Sequence, residues 1–149
     1  MEGAKGAEGN ATGTTPQVTM VAFEPREHSI TADLSRLKEA RDFAERAGAD
    51  FGLEGETLYM VKLAMSEAVT NAIQHGSSAP SDPIRLTVLE EGGALVFEVE
   101  DTGHFVPRVP RRGAVPESGR GLDFMRQLMD DVDVRPRAEG TLLRFAKRR

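Results

Sequence analysis

Two runs of strict alternation constrain this chain more than any other feature in it. Ile84, Leu86 and Val88 form the first, Leu95, Phe97 and Val99 the second, and Glu91-Gly92-Gly93 lies between them. Period-two alternation places the apolar side chains of a strand on one face, and a short glycine-containing turn joins two such strands into a hairpin. An isolated hairpin with one apolar face is marginal in water, so an amphipathic element has to cover it.

The rest of the chain supplies that cover. Residues 57–75 carry Leu58, Val61, Met65, Ala68, Ala72 and Ile73 at helical spacing, with Gly76 just past the end. Leu34, Leu37, Ala40, Ala44 and Ala47 mark an earlier helix, with Asp33 or Thr31 as N-cap and Gly48 as its stop. A third helix starts at Leu122 and runs through Met125, Leu128 and Met129. A β-prone run at 18–23 ends at Glu24-Pro25 and reads as the first strand, and 132–134 and 142–145 read as the last two. Pro107, Pro110 and Pro116, interleaved with Arg108, Arg111 and Arg112, exclude regular structure from 106–118. Residues 1–17 hold four glycines and no Leu, Ile, Val or aromatic residue. Such a segment buries too little to offset its ordering entropy, which predicts a disordered tail ahead of one domain at 18–149. The order β, α, α, β, β, loop, α, β, β predicts an α+β two-layer sandwich. Its sheet is mixed but mostly antiparallel, with helices on one face.

Composition narrows the function classes. The chain has no cysteine, so disulfides, thiolate metal sites and thiol nucleophiles are excluded. Nineteen Lys plus Arg against 24 Asp plus Glu leave a net charge of −5, the wrong sign for sequence-independent nucleic-acid binding. Seven Phe, one Tyr and no Trp offer little for base stacking. No apolar run reaches the roughly 18 residues of a membrane span, and no secretory signal pattern is present. The expectation is a cytoplasmic domain that contacts neither nucleic acid nor membrane.

Three motifs carry potential chemistry. On the long helix, Glu67, Asn71 and the pair Gln74/His75 follow one another along a flank of the apolar face. A carboxylate can act as general base, and an amide oxygen is a hard ligand suited to magnesium; a solvated helix flank explains the same stripe. The second strand of the hairpin ends in Asp101-Thr102-Gly103. That tripeptide is either a turn or a site where Asp101 accepts a hydrogen bond from a ligand amine while Gly103 lets the ligand approach the backbone. Third, Ser118-Gly119-Arg120-Gly121-Leu122 leads into the last helix, and small residues at a helix N-terminus suit phosphate. No G-K-[ST] follows, so this is not a Walker A loop.

In this order the motifs resemble the GHKL ATPase superfamily, which includes gyrase and histidine-kinase ATP domains. Within it the chain is similar to stand-alone serine-protein kinases that act as anti-sigma factors in partner switching. The resemblance spans about 23–145, and its most specific string is Leu63-Ala64-Met65-Ser66-Glu67-Ala68-Val69-Thr70-Asn71-Ala72-Ile73-Gln74-His75. It implies a protein serine/threonine kinase that uses ATP and Mg2+. Asn71 would hold the metal, Glu67 would act as base, and His75 would belong to the nucleotide site. Asp101 would take the adenine amine above Gly103, and Thr141 would lie near the base. Gly119, Arg120, Gly121 and Leu122 would meet the phosphates, and 106–118 would form a lid. The implied partners are an antagonist protein as phosphoacceptor, a sigma factor, and a second copy in a homodimer. The family pattern has a second glycine after Asp-x-Gly, where this chain has His104. That departure keeps open a second reading, a non-catalytic, nucleotide-responsive module that sequesters its partner. A detached histidine-kinase ATP domain would need a phosphoacceptor helix bundle, and His28, His75 and His104 lack metal-ligand spacing.

Overall fold

The computed structural model describes residues 22–103 and 117–149. Strand β1 (Arg26–Thr31) leads through a short 3-10 turn (Leu34–Arg36) into helix α1 (Leu37–Phe51) and helix α2 (Gly55–Asn71). A π-type turn (Ala72–Gly76) ends α2, followed by the hairpin strands β2 (Pro83–Glu91) and β3 (Ala94–Asp101). Helix α3 (Glu117–Leu128) and strands β4 (Asp131–Arg137) and β5 (Gly140–Arg148) complete the domain. The sheet has five strands in the order β1-β2-β3-β5-β4, and each of the four pairings described is antiparallel. No helix among the described residues is long and apolar enough to cross a membrane.

The hairpin has the register that its alternation requires, with Leu86 opposite Val99 and Val88 opposite Phe97. Gly92 and Gly93 take φ of 59° and 81°, the left-handed pair that matches strand twist in a two-residue turn. Phe97 in turn faces Phe145 of β5, their rings stacked at 5.4 Å. The helix-side face of the sheet packs on Ala40, Ala44 and Ala47 of α1, Val61, Met65 and Ala68 of α2, and Met125 of α3, all fully buried. Small residues along α1 let the two long helices lie close together. A Cβ on Gly48 would sit 2.6 Å from Leu58 Cδ1.

Three expectations need correction. The first strand is not at 18–23: residues 18–21 lie outside the described ones, Ala22 and Phe23 are irregular, and β1 follows Glu24-Pro25. It is an edge strand, and only Ile30 among its side chains is buried, so it lacks the apolar alternation that marks an inner strand. Its inward side chains reach α1 instead, Arg26 through an ion pair with Asp50 and His28 through a hydrogen bond with Glu39. Helix α1 does not stop at Gly48, which is buried within it. The stop is Gly52, whose φ of 105° makes it the left-handed cap, with its N–H donating to the Ala49 carbonyl at 3.1 Å. The last helix begins at Glu117, not Leu122, so Gly119, Arg120 and Gly121 lie inside it.

Candidate functional site

The long helix brings Glu67 and Asn71 to its last turn, and the chain then widens from α to π geometry through Ala72–Gly76. Such turns are uncommon and recur at functional sites. Side-chain hydroxyls finish the helix locally: Thr70 Oγ1 donates to the Ser66 carbonyl at 2.7 Å and Ser77 Oγ to that of Ala72 at 2.9 Å. Asn71, Ala72, His75 and Gly76 thereby face a common cavity of about 100 Å³. Asp101 and Thr141 enter it from the ends of β3 and β5, and Leu122 from α3. Ala68, Val99, Val134 and Leu143 make the remaining walls, so the space is largely apolar with a few convergent polar groups, the pattern of a small-molecule site.

Glycines set the position of Asp101. A Cβ on Gly76 would lie 2.2 Å from Asp101 Oδ2, and one on Gly103 would lie 1.4 Å from the Gly76 carbonyl oxygen. Gly140, at φ of 104°, brings the start of β5 equally close: its Cβ would lie 1.9 Å from the Asp101 carbonyl oxygen. Asp101 is buried, and its Oδ1 accepts from the Thr141 backbone N–H at 3.2 Å. Burial pushes this carboxyl up to about 6, main-chain hydrogen bonds from Thr141 and Gly103 pull in the opposite direction, and neighbouring Glu100 adds a smaller upward push. Two polar atoms of cavity-lining residues, His75 Nε2 and Thr141 Oγ1, are buried without a hydrogen-bond partner among the described residues. An unpaired buried polar group costs about 1–3 kcal/mol. A flat heteroaromatic base with donor and acceptor edges fits this lining.

Glu67 and Asn71 lie side by side under α3. A Cβ on Gly121 would sit 2.8 Å from Glu67 Oε2 and 3.5 Å from Asn71 Oδ1 and Nδ2. Gly121 is therefore a close-approach glycine within α3, which explains a glycine there in a helix that begins upstream. The amide oxygen of Asn71 is a hard donor, and no cluster of three or more His, Asp or Glu stands ready to bind a metal among the described residues. That donor set fits magnesium, which keeps few protein ligands and completes its shell with phosphate oxygens and water.

Of the residues singled out in the sequence, the cavity gathers Asn71, His75, Asp101, Leu122 and Thr141. Glu67 stands next to Asn71 against Gly121, and Gly103 supports the site from behind through Gly76. Gly119 and Arg120 occupy the first turn of α3. His104 and 106–116 of the expected lid lie outside the described residues. Sequence reasoning missed Gly76 as a site residue, having read it only as a helix stop, and it missed Val134 and Leu143. The apolar alternation of the last two strands was the available signal for those walls.

Comparison with known proteins places this geometry. The profile of the histidine kinase-like ATPase domain matches residues 30–147. An anti-sigma F factor of Anoxybacillus flavithermus is 33% identical over 102 aligned residues, covering 62% of this chain and 70% of the relative. An anti-sigma F factor of Clostridium acetobutylicum is 30% identical over 123, covering 74% of this chain and 86% of the relative. Among solved structures, the RsbU and RsbW domains of a Mycobacterium tuberculosis protein superpose with a TM-score of 0.65 at 20% identity. That match covers 84% of this chain and 32% of the longer one, so it speaks to the fold. The histidine kinase domain of an Erythrobacter litoralis blue-light activated kinase gives 0.51 at 21% identity, covering 79% of this chain and 61% of that one. The chain belongs to the histidine kinase-like ATPase domain family.

Proposed function

We propose that this chain is an ATP-dependent protein serine/threonine kinase and anti-sigma regulator, which phosphorylates a small antagonist protein and also engages a sigma factor. The observation that carries this reading is the convergence of Asn71, His75, Asp101 and Thr141 on one largely apolar cavity, with Glu67 beside Asn71. The similarity to anti-sigma F factors supports the choice of partner class.

Asp101 accepts a hydrogen bond from the adenine amine, and the walls formed by Val99, Val134 and Leu143 exclude water from the base. The Asn71 amide oxygen would hold magnesium, and Gly119, Arg120, Gly121 and Leu122 would border the phosphates. When bound, the metal neutralises phosphate charge, which an acidic chain of net −5 cannot do with its overall field. Glu67 takes the proton of the attacking serine or threonine hydroxyl, whose oxygen then displaces ADP from the γ-phosphorus. Phosphoryl transfer asks chiefly for positioning and charge neutralisation, and this pair of neighbouring side chains supplies both. A homodimer in the cytoplasm is the expected working form.

The test is a partner pull-down from the native host, incubation with Mg-ATP, and mass spectrometry of the captured proteins. Phosphoserine or phosphothreonine on a small co-purifying protein is the expected result. ATP binding with no modified partner would favour the second reading, sequestration tuned by nucleotide, to which His104 in place of the second motif glycine points.

A further inference from the structure

We infer that Ser77 is a positioning residue for base recognition: its hydroxyl staples the π-type turn and so fixes the Gly76–Ser77 peptide against which Asp101 is seated. The inference rests on the nucleotide reading above and adds to it the group that sets the base acceptor in place. Ser77 follows the turn directly, in extended backbone at φ of −118°. Its Oγ donates at 2.9 Å to the carbonyl of Ala72, the first residue of the turn. One side chain therefore ties together the two ends of a five-residue turn of a rare, wide kind. Beyond Ser77 the chain is held separately. The Ser78 and Ala79 N–H groups donate to Asp82 Oδ2 at 2.8 and 3.0 Å, and the Asp82 carbonyl accepts from the Ala32 N–H at 2.8 Å. Losing the Ser77 hydroxyl thus loosens the turn and leaves the following loop in place.

The path from this hydroxyl to Asp101 runs through main chain in direct contact. A Cβ on Gly103 would lie 1.4 Å from the Gly76 carbonyl oxygen and 3.1 Å from the Ser77 nitrogen, so the peptide joining Gly76 to Ser77 lies directly on Gly103. A Cβ on Gly76 would lie 2.2 Å from Asp101 Oδ2 and 2.7 Å from Oδ1. From the other side the Thr141 N–H donates to Asp101 Oδ1 at 3.2 Å. The carboxylate is held between two main-chain segments, with no flexible side chain between it and the turn, and close-packed interiors transmit displacements. Hydrogen bonds weaken steeply as their geometry degrades, so a shift of the turn reaches the base through its acceptor. Asn71 lies in α2 ahead of the turn, which leaves the phosphate end of the site in place.

The experiment measures affinities of ATP and of purine riboside triphosphate, which has hydrogen in place of the amine, for the full chain and for Ser77→Ala, Ser77→Thr and Ser77→Val. The native chain should prefer ATP about tenfold or more, the size of one hydrogen bond to a carboxylate. In Ser77→Ala the preference should fall to about threefold or less, as befits a misaligned bond. Ser77→Thr keeps the hydroxyl and should hold the native preference, whereas Ser77→Val, with the shape of threonine but no hydroxyl, should follow Ser77→Ala. A purely structural role would weaken both ligands together and leave their ratio alone. That outcome in Ser77→Ala overturns the inference, as does loss of the preference in Ser77→Thr. Failure of both the Ala and the Val variants to fold also overturns it, because the hydroxyl would then hold the domain rather than the site. A native chain that binds both nucleotides equally overturns Asp101 as amine acceptor, and the inference with it; one that binds neither overturns the nucleotide reading itself.

Discussion

At neutral pH the folded chain holds Asp101 as a carboxylate in buried surroundings that disfavour its charge. The unfolded chain loses this proton near pH 3.8, whereas the folded chain keeps it to about 6. Between those values the folded state binds more protons, so stability falls as pH rises through the window and the loss is complete above about 6. At 1.36 kcal/mol per pKa unit the loss amounts to about 3 kcal/mol. Asp101→Asn should flatten this slope in urea denaturation across the window, and it should weaken ATP binding about tenfold or more, since a charged acceptor is lost. Gly103→Ala should lower stability by at least about 1–3 kcal/mol, visible as a depressed Tm, because its Cβ has no room against the Gly76 carbonyl. Asp101 and Gly103 were legible in sequence as an acceptor beside a permissive backbone. Gly76 was not, because its contact with Asp101 joins segments far apart in the chain.

Elements were readable where their periodicity was long and apolar. Helix α2 and the β2–β3 hairpin meet that condition, and both formed with the expected apolar faces. Strand β1 does not, because an edge strand tied down by the Arg26 ion pair and the His28 hydrogen bond needs little apolar alternation. Glycine as a stop signal was ambiguous for a physical reason: Gly48 serves close packing on Leu58, while Gly52 supplies the left-handed cap. The two roles predict different costs. Gly52→Ala should destabilise by about 1 kcal/mol through its positive φ. Gly48→Ala should stay within about 0.5 kcal/mol, because alanine favours the helix while the mobile end of Leu58 has to shift. Chemical denaturation of both variants checks the contrast. The π-type turn had no sequence signal, since its residues fit a continuing α-helix equally well.

Over the whole molecule, the helix layer and the sheet meet so that the end of α2 faces the ends of β3 and β5, with α3 alongside. The opposite sheet face needs no second layer, because charged side chains cover it: Arg85 pairs with Glu27 at 3.2 Å and with Glu100 at 2.8 Å, and Glu100 also pairs with Arg137. One layer of helices therefore leaves a cavity at the sheet end, and the family's function is read from that cavity. The central claim is that this cavity binds ATP and that Glu67, next to it, takes the proton in phosphoryl transfer. Glu67→Gln separates the two, because Glu67 lies against Gly121 without lining the cavity. Measured together on the captured partner, Glu67→Gln should bind Mg-ATP within about twofold of the native chain, while transfer falls by about 10²–10⁴-fold. Phosphotransfer at the native rate, with ATP binding equally intact, would contradict the account.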